Sequence, residues 1–209
     1  MTTKAPQASA WLAQYRPNPR ARLRLFCFPY AGGGSLIYRT WPGRLPATVE
    51  VCPVDPPGRG RRLMETPFTR LHLMVRAAAE ALRPQLDEPF AFFGHSMGAM
   101  IGFELARLLE QEHGLSPLHL FVSSRRAPQM PDDEPPTYNL PEQEFLDDLR
   151  RLNGTPGEVL DHPELLQVLM PTLRSDFEVC QTYEYIPGWP LRCPITAFGG
   201  VLDEDVRRK

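Results

Sequence analysis

Short apolar runs of strand length alternate along the chain with stretches whose apolar residues recur at helical spacing. Residues 23–28, Leu-Arg-Leu-Phe-Cys-Phe, alternate at first and then become wholly apolar. Residues 49–54 form a second run, ended by Asp55-Pro56-Pro57-Gly58. Residues 90–93, Phe-Ala-Phe-Phe, read as a parallel strand buried on both faces. Residues 118–123 and 194–198 continue the series. Between the runs, residues 36–45 suggest a short helix broken at Pro42, and residues 68–86 an amphipathic one with Leu71, Met74, Val75, Ala78 and Leu82 on one face. Ile101, Leu105, Leu108 and Leu109 mark a helix that reaches Glu110. Strands alternating with helices predict the α/β class, with a mostly parallel, doubly wound sheet.

The texture changes over residues 125–190. Pro128, Pro131, Pro135, Pro136 and Pro141 interrupt the chain, and three short helical patterns follow at 141–152, 162–173 and 174–183. Phe145, Leu149, Leu166, Leu169, Met170 and Phe177 exceed what isolated surface helices need. An insertion of this size is usually functional. It reads as a lid whose apolar inner face, including Phe145, Met170 and Phe177, roofs a substrate channel. The organisation expected is one domain over 1–209, with a core at about 22–124 and 191–206 and the lid at about 125–190. Residues 1–20, polar with Pro and Arg, read as a loose arm.

Length and composition narrow the chemistry. The 209 residues, 42% apolar, suit one α/β domain, and 24 prolines fit long irregular connections. A net charge of −2 without a long basic tract argues against a nucleic-acid surface. No apolar run approaches the length of a membrane span, and the first 20 residues lack a signal-peptide core. The four cysteines show no metal-ligand spacing and sit mostly in apolar runs, as small hydrophobes do. A cytoplasmic protein without metal, disulfide or cofactor is expected.

The candidate chemistry centres on Gly94-His95-Ser96-Met97-Gly98, which lies between the third apolar run and the helix after it. In a strand–turn–helix setting, Gly-x-Ser-x-Gly lifts the serine hydroxyl above the strand end, and the next amide, on Met97, points at the same spot. A helix N-terminus favours negative charge developing there. The alternative is a glycine-rich turn with a bystander serine. Gly32-Gly33-Gly34 follow the first run without the spacing of a phosphate loop. They suit a backbone that approaches a ligand closely and donates N–H groups, with Ala31 the candidate second oxyanion donor; a flexible surface turn is the other reading. Arg59, Arg61 and Arg62 cluster on one loop, either solvated or facing an acidic or phosphate-bearing partner. Asp203 stands just past the last strand, where catalytic side chains gather in open α/β sheets.

Taken together, these residues resemble one family. Residues 25–33, Leu-Phe-Cys-Phe-Pro-Tyr-Ala-Gly-Gly, are similar to the first-strand signature of type II thioesterases, the free-standing editing hydrolases of polyketide and nonribosomal peptide assembly lines. Pro57-Gly58-Arg59-Gly60, the Ser96 turn, residues 123–128, and Gly199-Gly200 with Asp203 and Val206 fit the same family. The likeness runs from about residue 22 to 206. It implies an α/β-hydrolase fold with a helical lid, and cleavage of acyl thioesters from the phosphopantetheine arm of an acyl or peptidyl carrier protein. It also implies Ser96 as nucleophile, Met97 and Ala31 as oxyanion donors, and Asp203 as the residue that orients the base. The family's histidine lies in a Gly-Gly-His-Phe-like segment after one more strand. Here His72, His95, His113, His119 and His162 all precede Asp203. The expectation is that the final strand, the C-terminal helix and the base are missing, that the 209-residue form is impaired, and that it self-associates through the surface left uncovered. A non-catalytic relative that binds acyl chains or a carrier protein is the alternative.

Overall fold

A computed structural model describes residues 9–12, 15–130, 134–152, 154–155 and 157–201. Five strands among them form one parallel sheet: β1 (Leu23–Phe28), β2 (Val49–Pro53), β3 (Phe90–His95), β4 (Leu120–Ser123) and β5 (Ile195–Phe198). Their spatial order is β2-β1-β3-β4-β5. The chain leaves β1 toward β2 and then crosses back to β3 on the other side, so the winding reverses between β1 and β3. In open α/β sheets the crevice at such a reversal, at the carboxyl ends of the strands, is where ligands bind.

The helices are α1 (Leu71–Leu82), α2 (Met97–His113), α3 (Glu142–Leu152), α4 (Gly157–Leu160) and α5 (Pro163–Gln181). The apolar stripe expected on α1 is buried, with Met74, Ala78 and Leu82 fully covered. With Ile101, Leu105 and Leu109 of α2 it covers the sheet face formed by Phe26, Phe28, Phe92 and Leu120. Strand alternation sends Leu25, Cys27, Val51 and Ala91 to the opposite face. There the helix expected over 36–45 is instead two 3₁₀ turns, Ser35–Tyr38 and Trp41–Gly43. Pro42 lacks an N–H, so no α-helical ladder forms through it. Tyr38 and Trp41 cover the face by stacking edge-on against each other and against Phe93.

The N-terminal stretch is not wholly a loose arm. A 3₁₀ turn at Ala10–Leu12 places Trp11 and Leu12 in the main core. The Trp11 carbonyl accepts the Asp55 N–H at 2.8 Å, and the Arg62 guanidinium lies 5.0 Å from the centre of the Trp11 ring. Two apolar residues in a polar segment give no periodicity to read.

Residues 162–183 also depart from expectation. One helix, α5, spans the two short ones and carries Pro171 inside it. It is buried on two faces. Leu166, Leu173 and Phe177 join Phe145, Leu146, Leu149 and Leu160 in a small separate core, while Val179 enters the main core beside the sheet. Among the described residues β5 forms one edge of the sheet, with Ile195 and Phe198 half exposed.

Candidate active site

The register of β1 against β3 assembles the site. Phe28 pairs with Gly94, so the residues just after each strand emerge side by side. From β1 comes the 29–34 loop; from β3 come His95 and Ser96.

Ser96 has φ 53° and ψ −113°, a left-handed conformation that costs a non-glycine residue about 1–3 kcal/mol. The turn persists because its surroundings fix it. The Ser96 N–H donates to the Ser123 carbonyl at 2.8 Å, and the Ser96 carbonyl accepts the Ala99 N–H at 3.0 Å. His95 Nδ1 lies 3.0 Å from Ser123 Oγ, and its ring stands edge-on to Tyr30. The glycines are obligatory for steric reasons. A Cβ on Gly94 would sit 2.1 Å from the Gly98 carbonyl oxygen, and one on Gly98 would sit 2.1 Å from the Phe28 carbonyl oxygen. α2 therefore starts in backbone contact with the end of β1, and its first amide, on Met97, follows the serine directly.

The 29–34 loop is equally constrained. Gly32 has φ +77°, and a Cβ there would meet Leu173 Cδ2 at 2.5 Å. Its N–H donates to Asp176 Oδ2 at 2.7 Å, and the Gly33 N–H donates to the Tyr30 carbonyl at 2.9 Å. Asp55, buried at the end of β2, takes the Ser35 N–H at 2.6 Å and the Ser35 hydroxyl at 2.7 Å. The loop is pinned, not a flexible surface turn. Near it, burial pushes the Tyr38 phenol well above its ordinary range, and the neutral hydroxyl donates to the Phe28 carbonyl at 2.6 Å. Burial likewise raises the Cys27 thiol, which leaves it no thiolate character for nucleophilic work.

Neither reading of the arginine cluster fits Arg59. Its side chain is 5% exposed and forms a two-pronged pair with Asp176 of α5 at 2.8 and 2.9 Å. Arg62 donates to the Asp55 carbonyl and pairs with Glu65, holding the Glu65 carboxyl below its usual range. Arg61 alone is exposed.

The residues expected to roof a channel separate. Phe145 is fully buried inside the small core, with Phe177 edge-on to it at 5.2 Å. Met170 lines a cleft of about 670 Å³ among α3, α4 and α5 that includes neither Ser96 nor the glycine loop. What stands over the loop is a cavity of about 80 Å³, walled by Tyr30, Ala31 and Gly32 below and Val159, Leu169 and Leu173 above. Leu173 and Asp176 are thus lid residues that meet the glycine loop directly. Helical spacing pointed to their helix but not to the face that meets the loop.

Asp203 and Val206 lie outside the described residues. His72, His113 and His162 are exposed. His119 is half-buried, stacked on Phe121 with Nε2 2.8 Å from Thr196 Oγ1. No helix among the described residues is long and apolar enough to cross a membrane.

The pattern that defines the thioesterase domain matches residues 23–206. The protein named linear gramicidin dehydrogenase LgrE, from Brevibacillus parabrevis, is 49% identical over 201 residues, which are 95% of this chain and 76% of that protein. Its name has no echo here in a dinucleotide fingerprint: Gly32-x-Gly34 runs on to Ile37 and Gly58-x-Gly60 to Leu63. The gramicidin S biosynthesis protein GrsT of Aneurinibacillus migulanus is 47% identical over 200 residues, 96% of this chain and 78% of that protein. The type II thioesterase BorB, from the borrelidin biosynthetic cluster, superposes with a TM-score of 0.86 at 37% identity, covering 97% of this chain and 82% of BorB. The sheet, the serine turn and these likenesses agree, and the chain belongs to the thioesterase family, with a fold of the α/β-hydrolase type.

Proposed function

We propose that Ser96 is the nucleophile of an editing thioesterase that removes acyl groups from the phosphopantetheine arm of an acyl or peptidyl carrier protein. Its hydroxyl oxygen attacks the thioester carbonyl carbon, and the carbonyl oxygen becomes the oxyanion. The Met97 N–H, first in α2, stands on one side of that oxygen. Ala31 is the second donor: the neighbouring Gly32 and Gly33 amides are already engaged, by Asp176 and by the Tyr30 carbonyl. The hydroxyl proton passes to the leaving sulfur as collapse breaks the C–S bond and releases the carrier thiol; water then attacks the acyl-serine, freeing the carboxylic acid and returning a proton to the Ser96 oxygen. Asp203 is the residue that would orient a base beside Ser96. The 125–190 segment acts as the lid. Val159, Leu169 and Leu173 stand over the glycine loop.

The single observation that carries the reading is the strained Ser96 at the head of α2, at the strand end beside a glycine loop whose Gly32 and Gly33 amides are already engaged. The reaction is placed in the reducing cytoplasm, where buried thiols such as Cys27, Cys52 and Cys193 stay reduced. Mass spectrometry after exposure to a fluorophosphonate and to an acyl thioester is the test. The adduct is expected on Ser96 and is expected to vanish in Ser96→Ala. An adduct elsewhere that survives this substitution rejects the assignment.

A further inference from the structure

The geometry points to Asp176 and Arg59 as positioning residues for the oxyanion site, a pair through which the lid helix α5 holds the glycine loop in shape. The inference rests on the reading of Ser96 and Ala31 given above. Asp176 is fully buried, and its two oxygens have three partners. Oδ1 takes Arg59 Nη2 at 2.8 Å; Oδ2 takes Arg59 Nη1 at 2.9 Å and the Gly32 N–H at 2.7 Å. Arg59 spends its other donors on backbone: Nη1 on the Gly33 carbonyl at 3.0 Å, and Nε and Nη2 on the Pro57 carbonyl at 3.4 and 3.3 Å. All five N–H groups of the guanidinium therefore have acceptors, and none is left for a phosphate.

The consequence lies in the loop. Asp176 pulls on the Gly32 N–H and Arg59 on the Gly33 carbonyl, so one buried ion pair fixes the Ala31–Gly32 and Gly33–Gly34 peptide planes, and the Gly33 N–H ties the Tyr30–Ala31 plane, which carries the Ala31 N–H, to them through the Tyr30 carbonyl. A fully satisfied buried network of this kind is stiff and specifies one arrangement. An oxyanion donor works by standing in place before charge develops. With Gly32 engaged by the carboxylate, the amide left to face Ser96 is that of Ala31. Without the carboxylate, the Gly32 amide loses its partner and the Tyr30–Gly33 turn is free to rotate. Burial of the pair supplies stability less than it supplies this orientation, since a buried ion pair is often no better for stability than apolar residues of the same size.

The test is equilibrium binding of octylboronic acid, followed by boron NMR. Ser96 Oγ adds to the trigonal boron, the hydroxyl proton leaves to solvent, and the anionic tetrahedral boronate places one of its hydroxyl oxygens where the oxyanion would be. Asp176→Asn is expected to weaken this binding about 10- to 100-fold, somewhat less than outright removal of an oxyanion donor costs. A double variant, Arg59→Met with Asp176→Leu, removes the pair without stranding a buried charge, and is expected to fold and show the same loss. Octanamide, a planar analogue without a tetrahedral oxygen, is expected to bind all forms within about twofold, as a ground-state mimic should. Arg70→Ala removes an outer ion pair between Arg70 and Glu178 of α5 and should leave boronate binding unchanged. A folded double variant that binds octylboronic acid as tightly as the parent overturns the inference, and so does equal weakening toward octanamide. If Ser96→Ala still forms the tetrahedral boronate, the nucleophile assignment fails, and the inference falls with it.

Discussion

Gly98 and Phe28 meet so closely that a Cβ on Gly98 would sit 2.1 Å from the Phe28 carbonyl oxygen. That oxygen cannot easily move aside, because it also accepts the buried Tyr38 hydroxyl at 2.6 Å. Gly98→Ala must therefore push α2 away from β1 and tilt Ser96 with it. The expected loss is about 3 kcal/mol, at the upper end for forcing a methyl into a packed site. For a chain of this size that lowers the melting midpoint by about 6–12 °C. Fluorophosphonate labelling of Ser96 should fall in the folded protein as well. Calorimetry that finds the variant melting with the parent contradicts the close approach.

Stability is expected to fall on the alkaline side. Burial raises Cys27, Cys52 and Tyr38 above their ordinary values, and desolvation is the largest cause for each. In the unfolded chain the thiols lose protons near pH 8.5 and the phenol near pH 10. Above those values the folded form binds more protons than the unfolded form, so stability decreases as pH rises. The contribution is complete below about pH 8.5 and is withdrawn progressively above it. Urea midpoints at pH 7.5, 9 and 10.5 should descend in that order; a flat series rejects the argument.

Much of this architecture could be read from the residues alone. The runs that became β1, β3 and β4 were legible because a strand covered on both faces is a local, nearly unbroken apolar string. The Ser96 turn was legible because two glycines and a serine at fixed spacing meet a demand set by a single turn. What escaped was decided at a distance. Asp176 reads as a solvent-facing residue on α5, and Arg59, 117 positions earlier, together with the Gly32 N–H makes its burial tolerable. α5 reads as two helices because Leu166, Leu173 and Phe177 face the small core while Thr172, Asp176 and Val179 face the other way. Two buried faces blur the single stripe on which a periodicity reading depends.

The lid residues should separate by burial. Phe145 is fully covered, edge-on to Phe177, with the Arg174 guanidinium 4.7 Å from its ring centre. Phe145→Ala is expected to cost about 3–5 kcal/mol, as truncation of a buried Phe does. Its core is separate from the one that packs the sheet, so the loss should open the lid first. Limited proteolysis should then cut within residues 140–165 while the sheet stays intact. Met170 is half-buried in the open cleft, and Met170→Ala should cost far less. Cleavage that begins in the β1–β4 region in Phe145→Ala rejects the two-core picture.

The 209-residue polypeptide is expected to hydrolyse acyl thioesters slowly although it carries the serine, the helix N-terminus and the glycine loop. A serine hydroxyl is a weak nucleophile until a base takes its proton. The five histidines have other placements. His72, His113 and His162 face solvent, His119 is engaged with Thr196, and His95 Nδ1 is directed to Ser123 Oγ. A serine hydrolase without its base keeps about 10³–10⁴ of its acceleration over water, through the oxyanion site and binding alone. Turnover of a carrier-bound acyl thioester should therefore sit near that residue. Ser96→Ala should lower it only modestly, because a triad that has lost one member gains little from the others. His162→Ala should change nothing, and His95→Ala should act through the shape of the serine turn, lowering stability along with rate. Turnover at about 1 s⁻¹ or faster, the ordinary range for enzymes, would contradict this if Ser96→Ala abolished it. Such a rate would mean that a base reaches Ser96, and the histidine whose replacement removes it would identify that base.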